Sequence, residues 1–348
     1  MIITEAQGLR ELGTKIFVAL GAPKSKAEFV AETLVEANLC GHDSHGAFYF
    51  PVYGERIRQG YIQPKENPRI VKETPTSAYI DGRWGFGQIA AKKMIATAVE
   101  KASTNMVAAV GGFNINHIGR LGYYTTWATE QNMIGMMFAN VGNPIVSPFH
   151  GAEKAFGTNP ASISTPTSTG ENFLMDYATS LAAAGKLSVA RAKHVKVPSH
   201  WIRDKNGNPT DDPNAFYDGG YLVGFGEHKG YGIQMASELL GAVLTGSRAS
   251  MDNSQNPPSP NGVFCIAINP EAFIGLDAFK KKSSEVISYV KSRKPERGET
   301  VLIPGDPERI SKKKRLSEGI PLPEDSWDQI IKISLELGID PKIALKKG

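Results

Sequence analysis

Arg69-Ile70-Val71-Lys72-Glu73 and Ser77-Ala78-Tyr79-Ile80-Asp81, parted by Thr74-Pro75-Thr76, read as two strands around a turn. After them come a helical pattern over 88–103, a strand over 106–110, a glycine-rich loop from Gly111-Gly112-Phe113, a helix over 121–130 and a strand over 133–139. Strand and helix alternate, which predicts an α/β domain. Gly85-Phe86-Gly87 follows a strand and opens a helix, as a dinucleotide fingerprint does. The next strand, however, runs into Gly111-Gly112-Phe113 instead of an acid that would hold a ribose. The glycines are therefore read as a turn and a helix start.

On the amino-terminal side the pattern is helical. An amphipathic helix over 4–21 carries Leu9, Leu12, Ile16 and Leu20 and stops at Gly21. Ser25-Lys26-Ala27-Glu28 has the form of a capping box for a helix ending at Gly41. A helix over 48–59 carries Pro51 in its first turn, where proline is tolerated, and stops at Gly60.

On the carboxyl-terminal side a long loop over 140–160 precedes strands near 161–165 and 172–176 and an Ala-rich helix over 180–193. A turn over 204–209, a helix over 230–244, a Pro/Asn/Ser loop over 252–261 and a strand over 263–268 follow. The tail is helical and broken at Ile303-Pro304-Gly305-Asp306-Pro307. The expected division is a helical part over 1–68, an α/β region over 69–270 and a helical part over 271–348, the two helical parts being able to form one domain.

Composition bounds the function. The 348 residues are 41% hydrophobic and 21% charged, with 39 Lys and Arg against 35 acids and a net charge of +4. That balance is too mild for a nucleic-acid partner. Lys312-Lys313-Lys314-Arg315 reads as a solvated helix face. Two cysteines, Cys40 and Cys265, make neither a disulfide framework nor a thiolate zinc site. No signal segment or bilayer-length apolar run is present, so no membrane partner is expected and the cytoplasm is the expected compartment.

Chemistry concentrates at Gly41-His42-Asp43-Ser44-His45-Gly46, which holds two of the seven histidines. An imidazole with a pKa of roughly 6.5 suits the proton exchange that accompanies interconversion of a ketone and an alcohol in both directions. Asp43 and Ser44 are placed to fix its tautomer or ring angle. The competing reading is a histidine pair satisfying a helix C-terminus. Asn116-His117-Ile118-Gly119-Arg120-Leu121-Gly122 sets an imidazole and a guanidinium at a helix entrance, where anions bind. His42, His45, His117 and Asp43 also admit a metal-dependent hydrolase or lyase, although no His-Glu-x-x-His segment accompanies them.

With Phe156-Gly157-Thr158-Asn159-Pro160, Met175-Asp176-Tyr177-Ala178-Thr179-Ser180, His228-Lys229-Gly230-Tyr231-Gly232 and Ile303-Pro304-Gly305, these segments resemble the malate/L-lactate dehydrogenase family over nearly the whole chain. This is the type unrelated to the Rossmann-fold dehydrogenases. Arg120, Pro148-Phe149-His150-Gly151 and Glu227-His228-Lys229 place it nearest the hydroxycarboxylate branch. The resemblance implies a family-specific, non-Rossmann NAD(P)-binding α/β fold with a mixed sheet. It also implies an oxidoreductase that interconverts small 2-oxo and 2-hydroxy acids, with NAD, or alternatively NADP, as cofactor, and a homodimer. His45 is the implied general acid and base; His117 is expected to hydrogen-bond the substrate oxygen, and Ser44 completes the expected catalytic set. The cofactor is expected at Gly119, Arg120 and Leu121, at Leu174, Met175, Asp176, Tyr177 and Ala178, at His228 and Lys229, and at Gly305 and Asp306. The substrate is expected at Arg120, Tyr49, Thr158 and Asn159. Many members carry an arginine four residues after the catalytic histidine. Here that residue is Tyr49, a neutral phenol that cannot replace a charged fork.

Overall fold

A computed structural model describes residues 1–192, 194–252 and 260–346. The chain opens with strand β1 (Ile2–Thr4), helices α1 (Ala6–Ala19) and α2 (Lys24–Leu39), a 3-10 turn at Asp43–His45 and helix α3 (Tyr49–Arg58). Strands β2 (Arg69–Glu73) and β3 (Ser77–Asp81), helix α4 (Gly87–Asn105), strand β4 (Val107–Ile115), helix α5 (Gly122–Glu130) and strands β5 (Ile134–Val141), β6 (Ala161–Thr165) and β7 (Phe173–Tyr177) follow. Next come α6 (Ala184–Ala192), β8 (Ile202–Arg203), β9 (Pro209–Thr210), α7 (Asn214–Tyr217), β10 (Tyr221–Leu222), α8 (His228–Glu238) and β11 (Asn261–Ile268). Helices α9 (Leu276–Lys291) and α10 (Asp306–Glu318), strand β12 (Ile320–Leu322) and helix α11 (Glu324–Glu336) complete it.

The main sheet is mixed, as expected. Its seven strands lie in the order β2-β3-β4-β11-β5-β6-β7. Only β3 and β4 run parallel, joined by α4, and the other neighbours are antiparallel. Met94, Ile95 and Ala98 of α4 and Tyr124 of α5 pack on Val110, Met137 and Cys265 of the sheet. A second core joins the two ends of the chain: Leu12, Phe17, Leu34, Phe50 and Tyr53 bury against Trp327, Ile330 and Ile333, and β1 pairs with β12. His45 lies in the helical layer that holds this second core, close to where β4 ends.

Several expectations are corrected. The glycine-rich segment after Val110 is not a loop, because β4 continues through Gly111 and Gly112 to Ile115. A Cβ on Gly112 would stand 2.6 Å from the Met94 sulfur, so the missing side chain lets α4 lie close on the sheet. The capping box does not form. Helix α2 starts at Lys24, and the Pro23 carbonyl already takes the Lys26 and Ala27 N–H groups at 3.0 Å, which puts Ser25 inside the first turn. The helix expected from 180 starts at Ala184, and the one expected from 230 starts at His228 and continues as a π-helical turn over Leu239–Val243. Most of the expected loop at 252–261, namely 253–259, lies outside the described residues, as does residue 193. Gly87 is indeed a helix start: a Cβ there would meet the Asn116 and His117 carbonyl oxygens at 2.1 and 2.3 Å, so backbone occupies the space a cofactor would need.

Candidate active site

Helix α2 ends at Leu39, Cys40 follows as its cap residue, and Gly41 turns the chain at φ +86°. Asn38, almost fully buried, then shapes the loop. Its Oδ1 accepts the Ala47 N–H at 2.7 Å, and its Nδ2 donates to Asp43 Oδ1 at 2.6 Å. A Cβ on Gly46 would overlap the Asn38 amide, which is why the second glycine is needed. Asp43 also takes a bidentate grip from Arg315 of α10, at 2.6 and 3.0 Å. His42 turns to Glu308 of the same helix, 3.2 Å away. The loop is thus pinned to α10 on one side, and His45 projects to the other.

His45 Nδ1 lies 3.1 Å from His117 Nε2, and the two rings are nearly parallel. His117 Nδ1 lies 2.7 Å from the Tyr53 hydroxyl, and Gln88 Nε2 donates to that hydroxyl at 2.7 Å. Because Gln88 fills one acceptor position, the Tyr53 hydrogen is free to point at His117. If it does, His117 carries its hydrogen on Nε2 and donates to His45 Nδ1, leaving the His45 hydrogen on Nε2. That nitrogen has no protein partner among the described residues and is not sealed from solvent. The reverse polarisation has Tyr53 donating to the His117 carbonyl, 3.3 Å away, and leaves a lone pair on His45 Nε2. One chain of bonds therefore presents either a donor or an acceptor outward. Tyr49 stacks on His117 with ring centres 4.2 Å apart and walls the site.

Burial, then the charges of His42 and Arg120, push the His45 pKa down to about 4. Burial pushes His117 well below its ordinary value, with further contributions from His45 and Arg56. Both rings are neutral near pH 7. Burial raises Tyr53, so its hydroxyl orients His117 and does not ionise. Removing that hydroxyl by Tyr53→Phe frees the His117 ring and leaves the Gln88 amide unpaired. The expected result is a fall in kcat of about 10- to 100-fold with a smaller change in KM, read by steady-state kinetics.

Arg120 is the hub beside the histidines, and its side chain is buried. Its Nη2 donates to both Glu36 oxygens at 3.1 and 2.9 Å, and its Nη1 to Asp176 at 3.3 Å. Asp176 also accepts the Gly122 N–H at 2.9 Å. Burial raises the Asp176 pKa despite this partner. Burial acts the same way on Glu36, but Arg120 and the Cys40 thiol bring that carboxyl net below its usual value. The guanidinium is thus committed to two carboxylates of the chain itself, and the expectation that it forks onto a substrate carboxylate gives way to a structural role.

The network gathers the segments expected to hold a cofactor. Gly119 turns at φ +77° ahead of Arg120 and the buried Leu121. The Leu174 N–H donates to Pro304 O at 3.1 Å, bringing the strand from Leu174 through Met175 to Asp176 against the Gly305 turn. A Cβ on Gly305 (φ +101°) would crowd Leu174 and Arg309. Asp306 holds that turn, accepting from Ile303 N at 3.0 Å and Arg309 Nη2 at 2.6 Å. At the end of that strand, next to Ala178, Tyr177 meets Phe225 edge to face at 5.2 Å, just before α8. His228 and Lys229 are exposed at the start of α8, and Gly232 one turn on faces open space, with nothing within 4 Å of where a Cβ would be. The first-turn N–H groups of Lys229, Gly230 and Tyr231 already donate to Gly226, Phe225 and Glu227, so what this end of α8 offers is the exposed His228 and Lys229 side chains and the uncrowded Gly232.

The match to the Malate/L-lactate dehydrogenase family spans residues 4–331. The chain belongs to the malate/L-lactate dehydrogenase family. It is 36% identical to the L-sulfolactate dehydrogenase of Methanocaldococcus jannaschii over 342 residues, 97% of this chain and 98% of that protein. It is also 36% identical to hydroxycarboxylate dehydrogenase B of Escherichia coli K12 over 341 residues, 96% of this chain and 94% of that protein. The solved sulfolactate dehydrogenase of M. jannaschii superposes with a TM-score of 0.91 at 35% identity, covering 99% of each chain. The protein is an enzyme of this hydroxyacid dehydrogenase family, whose name implies a nicotinamide cofactor.

Other expected site residues in this malate/L-lactate dehydrogenase family member fall differently. Ser44 is half-buried and faces α6, where a Cβ on Gly185 would lie 3.2 Å from its own. Asp43 does not orient His45, since Arg315 and Asn38 hold it; His117 has that place. Thr158 offers its carbonyl to Thr179. Asn159 is not brought to the site: it is wholly buried, accepts Val141 N at 2.9 Å and donates to Gln234 O at 3.2 Å and Glu238 at 2.7 Å. The metal-dependent hydrolase or lyase reading finds no support: His42 and Asp43 are held by α10, and no group of three metal-ligating residues occurs among the described residues. No helix among them is long and apolar enough to cross a membrane. The sequence reading missed Tyr53, Gln88, Glu36 and Asn38. Only Tyr53 carried a signal, four residues after Tyr49 and hence on the same helix face.

Proposed function

We propose that the enzyme interconverts a small 2-oxo acid and its 2-hydroxy acid with NAD or NADP, and that His45 exchanges the proton at the substrate oxygen. The observation that carries this reading is the His45–His117–Tyr53 chain, which leaves His45 Nε2 without a protein partner among the described residues. The segments around Gly119–Leu121, Leu174–Ala178, His228–Gly232 and Gly305 would hold the cofactor. The bound nicotinamide supplies or accepts the hydride. For oxidation, a neutral His45 takes the hydroxyl proton on Nε2. For reduction, the carboxylate of an arriving oxo acid and the charge developing on its oxygen raise the His45 pKa, and the ring gives that proton back. Tyr49 and Tyr53 keep the His117 ring in place and exclude water from its faces.

The depressed His45 pKa fixes a pH dependence. The base form prevails above the pKa of the free enzyme, which kcat/KM reports. The acid limb of kcat/KM for hydroxy-acid oxidation is therefore expected near pH 4, well below the 6.5 of an ordinary imidazole. A limb at 6.5 would mean that burial does not act on His45 as described.

The reading is tested by incubating the protein with NADH or NADPH and each of pyruvate, oxaloacetate, 2-oxoglutarate and phenylpyruvate. At least one pairing is expected to consume the reduced cofactor. A homodimer belongs to the same reading. It is supported by Leu239, Val243 and Leu244, large apolar residues left 50%, 59% and 61% exposed after α8.

A further inference from the structure

We propose that Arg56 is the cation that binds the substrate carboxylate, an inference that rests on the dehydrogenase reading above. A 2-oxo acid carries its carboxylate next to the reacting carbon, and placing that charge beside the half-buried His45 and His117 without a cation is costly. The cations around His45 are nearly all taken. Arg120 is bound by Glu36 and Asp176, Arg315 by Asp43, and Lys312 lies 3.8 Å from Glu36. His42 is turned to Glu308. Lys186 is exposed and lies over the Trp201 ring, 5.4 Å from its centre.

Arg56 differs from these. Among the described residues it has no ion pair and no side-chain hydrogen bond, and its Nη1 is sealed from solvent with no acceptor. A buried N–H without a partner is expensive, and native proteins hold few of them. Its place on α3 says what the partner is. Tyr49, Tyr53 and Arg56 stand at i, i+4 and i+7, on one face of the helix. The first two touch His117, so that face is a wall of the active site. The Arg56 charge is felt there, disfavouring protonation of His117 and favouring ionisation of Tyr49. A planar guanidinium matches a carboxylate with two parallel N–H bonds. Where a neutral phenol occupies position 49, the positive charge is supplied two helical turns further along.

The test compares a carboxylate with its uncharged amide: pyruvate against pyruvamide and phenylpyruvate against phenylpyruvamide, with wild-type enzyme, Arg56→Gln, Arg56→Lys and Lys186→Ala. For wild type, kcat/KM is expected to favour the acid by about 100-fold or more. In Arg56→Gln that preference is expected to collapse to within about 10-fold through a raised KM for the acid, with KM for the amide and for the reduced cofactor unchanged. Arg56→Lys keeps a point charge without the fork and is expected to fall between the two. Added guanidinium ion is expected to restore part of the preference in Arg56→Gln. A structural role for Arg56 would instead move the acid and the amide alike. If Arg56→Gln does not fold, as judged by its thermal melt, the Arg56→Lys ratio decides. Undiminished preference in a folded Arg56 variant, or its loss in Lys186→Ala instead, overturns the proposal while the dehydrogenase reading stands. Absence of turnover by wild type with every oxo acid and either cofactor overturns both.

Discussion

Replacing His45 with alanine is expected to lower kcat by roughly 10²- to 10⁴-fold while the dissociation constant for NADH changes little. The side chain contacts His117 through one nitrogen and leaves the other free, so its removal takes away the proton-exchanging group. The segments proposed for the cofactor, Gly119–Leu121, Leu174–Ala178 and the α8 entrance, do not depend on it. Cofactor binding is read by quenching of tyrosine and tryptophan fluorescence, and turnover by the absorbance of the reduced nicotinamide. His117→Ala is expected to lose less, since it leaves His45 in place but unoriented. Normal turnover in His45→Ala would remove the residue from the mechanism altogether.

Arg120→Ala is expected to destabilise the fold by about 3–5 kcal/mol, read from the urea midpoint, because it takes the main counter-charge from two buried carboxylates and leaves only the half-exposed Lys312, 3.8 Å from Glu36. Glu36 and Asp176 come from α2 and β7, and Arg120 from the turn before α5, so the guanidinium ties three separate elements together. The loss follows from the uncompensated charges more than from the missing contact. Replacing Arg120 and Glu36 together by apolar residues of similar volume is accordingly expected to recover part of the stability. A change below about 1 kcal/mol in Arg120→Ala, the range of an exposed ion pair, would contradict the network described here.

Much of the architecture was legible because periodicity reports burial directly. The alternation from 69 to 139 and the apolar stripes of α1 and α4 are local signals, and the sheet and helices follow them. The errors came from contacts the sequence does not display. Gly111 and Gly112 look like a loop until α4 is laid over them, and Ser25 looks like a cap until Pro23 takes the cap position. At the site, His45 and His117 were legible from their glycine-bounded motifs, but their partnership spans 72 residues and only the fold brings them together. Arg120 was expected to face a ligand because it stands at a helix entrance, and Asn159 because the family resemblance placed it with the substrate. Their partners, Glu36 and Glu238, sit on distant helices with no motif to announce them.

The most direct test of the proposed chemistry is a crystal structure of the enzyme with NADH and oxamate, an unreactive isostere of pyruvate. The expected result is His45 Nε2 within about 2.6–3.2 Å of the oxamate carbonyl oxygen, with the nicotinamide on the opposite face of that carbonyl. A complex in which the inhibitor and nicotinamide meet away from His45, with the imidazole still closed upon His117 and turned from both, would contradict it.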